Sequence, residues 1–130
     1  MSNSISITTV KDSKVDTLDF DTIALGRTFT DHMFVCDYED GQWRNPRISP
    51  MEAIPMHPAC MALHYGQALF EGMKATLGST GIPLLFRPEK NAERLNFSAR
   101  RLGMPELPEK LFVDALKQLV HLDQKWIPPH

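Results

Sequence analysis

The sequence predicts an α+β fold: an antiparallel β-sheet with two main helices packed on one face, a two-layer sandwich. Three observations point to it. Strand-like segments separated by turn residues fill the middle of the chain. Two segments with helical spacing of apolar residues follow them. At 130 residues and 42% hydrophobic content, the chain can bury one core without disulfide staples.

Residues 1–24 read as a polar N-terminal arm, with one alternating patch, Ser4 to Val10, that suits an edge strand. Phe29 to Tyr38 is the first strong strand. Asp40-Gly41 after it favours a tight hairpin turn, because that pair tolerates positive φ. Gln42 to Ile48 returns with Trp43 as a large anchor, and Pro46 argues for an edge position or an early end. Pro50 to Pro58 is a proline-spaced connector. Pro58 suits the first turn of a short helix over Ala59 to His64, with Gly66 as its stop. Leu69 to Leu77 reads as a strand interrupted by Gly72, a position that suggests close approach of a ligand or another backbone. Gly78 to Gly81 turns the chain and Pro83 to Arg87 returns. Pro88 to Leu102 is the clearest helix: Pro88 and Glu89 fit its first turn and Gly103 fits the position past its end. Its apolar stripe is Ala92, Leu95, Ala99 and Leu102, while Lys90, Arg94, Ser98 and Arg101 share a separate ridge. A second helix spans Glu109 to Asp123, with Leu111, Ala115, Leu116, Leu119 and Leu122 inward. The closing "WIPPH" reads as the start of an inter-domain linker.

Composition narrows the function. A formal net charge of −2 provides no basic field for nucleic acid or an anionic membrane. No apolar run approaches the length of a bilayer span. Cys36 and Cys60 are too few for a disulfide scaffold and suit a reducing compartment, so the expected location is cytoplasmic.

Four groups of residues invite a chemical reading, and each has a plainer alternative. Arg94 can grip a phosphate through two parallel charged hydrogen bonds, or its ridge is a solvated basic helix face. Tyr65 and Phe70 form one pocket wall, or both are core aromatics. Glu71 belongs to a charge pair, or it is exposed because the strand begins one residue later. His57, Cys60 and His64 have helical spacing, but no fourth ligand is nearby and Pro58 interrupts the set, so no metal is expected. There is no glycine-rich phosphate loop.

Four motifs then carry a resemblance: "GRTFTDHMF" (Gly26–Phe34), "LHYGQALFEGMKA" (Leu63–Ala75), "LFRPEKNAERLNFSARRLGMP" (Leu85–Pro105) and "WIP" (Trp126–Pro128). Together they resemble the N-terminal small domain of a branched-chain amino acid aminotransferase, a fold-type IV enzyme that uses pyridoxal 5′-phosphate. The resemblance implies that Arg94 in "NAERL" holds the cofactor phosphate, and that Tyr65 and Phe70 wall the apolar substrate pocket, the tyrosine across a dimer interface. It implies a homodimer that moves an amino group between leucine, isoleucine or valine and 2-oxoglutarate, giving glutamate, with the cofactor ring as electron sink. Residues 25–127 would be the small domain and residues 128–130 the start of the linker to a second domain.

The cofactor-bearing lysine belongs to that second domain. Lys74 and Lys90 lie outside its motif, so no catalytic residue is expected here and the fragment alone should be inactive. Leu25 stands where relatives often carry an aromatic near the pocket. Two other readings remain: a D-amino acid aminotransferase or aminodeoxychorismate lyase of the same fold, and a non-catalytic dimerisation module.

Overall fold

The computed structural model describes residues 4–24 and 26–128. Its architecture is α+β, with the strands divided between two small sheets. In chain order the elements are β1 (Ser6–Ile7), β2 (His32–Glu39), β3 (Gln42–Pro50), α1 (Met61–Tyr65), β4 (Ala75–Leu77), β5 (Pro83–Leu85), α2 (Pro88–Arg101) and α3 (Glu109–Leu122). The first sheet has the order β1-β3-β2, and the second pairs β4 with β5.

β2 and β3 form the expected antiparallel hairpin around Asp40-Gly41, both with positive φ (51° and 76°). Trp43 meets Tyr38 edge-to-face at 5.1 Å, and its indole N–H donates to the Glu106 carbonyl at 2.7 Å. That contact ties the hairpin to the connector between α2 and α3. β1 joins the other side of β3 in parallel, opposite Arg47 and Ile48, as a two-residue edge.

Pro46 neither places β3 at an edge nor ends it: β3 is central and runs on to Pro50. A bulge reconciles the proline with that position. Val35 pairs with Arg47 and Asp37 with Arg44, so Asn45 and Pro46 together oppose Cys36. Asn45 takes the left-handed conformation (φ 51°), and the ladder asks no N–H of Pro46.

The strand expected over Leu69 to Leu77 is realised only at Ala75–Leu77. Its partner limits it. Ala75 pairs with Leu85, and two residues later Arg87 turns left-handed (φ 49°) as the N-cap of α2. Residues 69–74 therefore have no strand opposite them in this hairpin. α1 begins at Met61, with Pro58 in the preceding turn, and stops at Gly66 (φ 62°) as expected.

α2 starts with Pro88 in its first turn and ends in a Schellman motif. The Met104 N–H bonds the Ala99 carbonyl and the Gly103 N–H bonds that of Arg100, with Gly103 at φ 65°. α2 packs on α3, and α3 on β2. Ile48, Ala92, Ala99, Leu111, Val113 and Ala115 are buried, whereas Leu102 at the end of the expected stripe is exposed.

Candidate functional site: an arginine fork on α2

The site is built where the irregular segment 66–74 passes the first turns of α2. Arg94 lies on the second turn. Its Nε–H donates to Glu71 Oε2 at 2.8 Å and its Nη2 donates to Glu71 Oε1, a two-bond fork. Glu71 is the buried end: its side chain is 8% exposed against 64% for Arg94. Asn91, one turn before Arg94, donates to Glu71 Oε1 at 2.9 Å and to the Gly72 carbonyl at 3.2 Å. The Gly72 N–H also donates to Oε1, at 3.0 Å.

The electrostatics follow from these contacts. Hydrogen bonds from Arg94, reinforced by Asn91 and Gly72, outweigh desolvation and hold the Glu71 carboxyl down to about 2. The same pairing raises the pKa of Arg94. Both groups are charged at any working pH. Of the five guanidinium N–H groups, two serve Glu71; the other three have no protein partner among the described residues. A salt-bridged arginine whose exposed edge has no partner among the described residues can donate to an oxyanion.

Two clefts flank this network. One of about 510 Å³ beside α2 takes in Arg94, Phe97 and Arg100. The other, about 550 Å³, lies beside the β4–β5 hairpin and takes in Gly72, Lys74, Phe86 and Asn91. Tyr65, at the end of α1, and Phe70 border neither; they are 79% and 91% exposed. They are not core aromatics. The Phe70 ring leans on Gly72, where an added Cβ would lie 3.2 Å from it. The neighbour there is a side chain, not the ligand or second backbone that the glycine suggested.

The remaining candidates are placed elsewhere. His57 Nδ1 accepts the Ala59 N–H at 3.0 Å, and His64 Nε2 donates to the Pro58 carbonyl at 2.6 Å. Among the described residues no three metal-ligating side chains converge. Lys90 pairs with Glu93 at 2.6 Å. Cys36 and Cys60 are free thiols. Leu25 lies outside the described residues. No helix of the described residues is long and apolar enough to cross a membrane.

Sequence reasoning missed a buried polar knot. Asp31 accepts from Ser13 Oγ at 2.5 Å, the Lys14 N–H at 3.1 Å and Trp126 Nε1 at 2.8 Å. His32 accepts the Val10 N–H on Nε2 at 3.0 Å, so its ring proton lies on Nδ1, which donates to Asp123 Oδ1 at 2.6 Å. Adjacent residues at the start of β2 therefore hold both the N-terminal arm and the end of α3. It also missed Asn91, whose polar position one turn before Arg94 was the available signal.

No family model matches the chain. It is 48% identical over 125 residues to branched-chain-amino-acid aminotransferase 2 of Bacillus subtilis, covering 95% of this chain and 34% of that protein. It is 49% identical over 105 residues to the branched-chain-amino-acid aminotransferase of Mycolicibacterium smegmatis, covering 80% of this chain and 28% of that one. The mitochondrial branched-chain-amino-acid aminotransferase of Bos taurus is 43% identical over 107 residues, covering 82% and 27%. The resemblance carried by the motifs thus extends along most of the chain, and the chain spans about a third of the length of the curated relatives it matches.

Proposed function

We propose that this chain is the small-domain portion, residues 25–127, of a branched-chain amino acid aminotransferase. Residues 128–130 lead towards a second domain that supplies the cofactor-bearing lysine. The observation that carries the reading is the 48% identity over 125 residues with a protein of that name. The geometry supports it: the guanidinium that matches the phosphate-gripping arginine is fixed at one edge and has no partner among the described residues at the other. The side chains present fit a phosphate, and pyridoxal 5′-phosphate would supply the electron sink for amino transfer between leucine, isoleucine or valine and 2-oxoglutarate.

In this reading Arg94 holds the phosphate by charge-assisted hydrogen bonds. Tyr65 and Phe70 are walls of an apolar pocket that other parts of a homodimer close; their high exposure suits surfaces completed from outside the segment. This segment alone is inactive, because it binds and orients but carries no cofactor-bearing lysine.

The test is transamination by the full-length protein with each branched-chain amino acid and 2-oxoglutarate. Turnover is expected; none with all three rejects the reading. In that protein Arg94→Ala should cost about 1.5–3 kcal/mol of cofactor affinity, roughly a 10- to 150-fold rise in Kd. An unchanged Kd would remove Arg94 from the phosphate site.

A further inference from the structure

We propose that Glu71 and Asn91 are positioning residues that fix the Arg94 guanidinium before an anion reaches it. The inference rests on the reading of Arg94 as the phosphate ligand.

An exposed arginine samples many rotamers, and freezing them opposes binding. Arg94 is 64% exposed, yet its orientation is set from the buried side. Glu71 is itself held: Oε1 receives Asn91 Nδ2 and the Gly72 N–H before Arg94 Nη2 is counted. Asn91 also grips the Gly72 carbonyl, so one side chain ties α2 to both the carboxylate and its backbone. Glu71 takes the Nε side of the guanidinium. The Nη1–Nη2 edge is left with three N–H donors, a spacing that matches two oxygens of a phosphate. The network also stands between the two clefts, with Arg94 on one and Gly72 and Asn91 on the other. A shift in it moves the anion ligand relative to the hairpin surface.

A carboxylate this close also repels an anion, so position must be separated from charge. Glu71→Asp keeps the charge and shortens the reach; Asn91→Ala changes no charge and removes one of the donors that hold the carboxylate, along with the tie to the Gly72 carbonyl. In the full-length protein, each should raise the Kd for pyridoxal 5′-phosphate about three- to tenfold. Neither should add to the effect of Arg94→Ala, because the guanidinium they orient is gone. The Arg94 Nε–H resonance in ¹⁵N NMR should be slow to exchange in the parent protein and lost to exchange in Glu71→Asp. Unchanged Kd values for both single variants, beside a weakened Arg94→Ala, would overturn the positioning role and leave the phosphate role standing. An unchanged Kd in Arg94→Ala would instead overturn the phosphate role itself. Thermal midpoints show whether each variant is folded, and the mild, uncharged Asn91→Ala change keeps the test open if Glu71→Asp is not.

Discussion

Two carboxylates, Glu71 and Asp31, show how far a residue's role depends on partners distant in sequence. Glu71 could be read from sequence as a paired or an exposed charge; its partners lie on α2, 20 and 23 residues ahead. Because its folded pKa is lowered, from 4.5 to about 2, the stability it contributes is present above the ordinary value and lost as pH falls towards 2. The stability difference between the parent chain and Glu71→Gln should therefore shrink between about pH 5 and about pH 3, as read by urea unfolding at each pH. A difference that stays constant would mean that the carboxylate is not held low. Asp31 was not legible at all: one of its partners, Trp126, is 95 residues away. Burial raises its pKa, but the bonds from Ser13, Trp126 and Lys14 outweigh that and lower it. Asp31→Ala strips three donors of their acceptor and should cost about 2–3 kcal/mol, measured by denaturant unfolding.

Element boundaries were legible where backbone chemistry fixes them locally. Pro88 at the start of α2, Gly103 past its end and Gly66 past α1 occupy the positions that their conformational freedom or its lack demands. Gly103 at φ 65° meets nothing where a Cβ would be added, so Gly103→Ala isolates the left-handed strain. It should lower stability by about 1 kcal/mol, seen as a lower thermal midpoint. Strands were harder, because a strand needs a partner as well as a pattern. The segment 69–74 has a strand-like sequence, but α2 begins where its partner would have continued. The Asn45-Pro46 bulge reverses the usual meaning of a proline in a strand by leaving the ladder nothing to ask of it.

At the scale of the whole molecule, the distribution of apolar surface bears on function. The α+β class was legible because hydrophobic period changes from strand-like to helical along the chain. The exposure of Tyr65, Phe70 and Phe86 was not, since aromatics placed inside a core and aromatics awaiting another surface have the same pattern. Phe70 is 91% exposed, so it contributes little to this segment's own core. Phe70→Ala should leave the stability of the 130-residue chain within about 0.5 kcal/mol of the parent. On the proposed function, the same change in the full-length protein should lower kcat/KM for leucine, isoleucine and valine while the cofactor Kd stays put, because Arg94 and its fork are untouched. The expected loss is about tenfold or more, the scale of a missing aromatic wall against an aliphatic side chain. Parallel loss of cofactor and substrate affinity would place Phe70 in the fold of the site instead of in its wall. An unchanged kcat/KM for all three amino acids would remove it from the pocket.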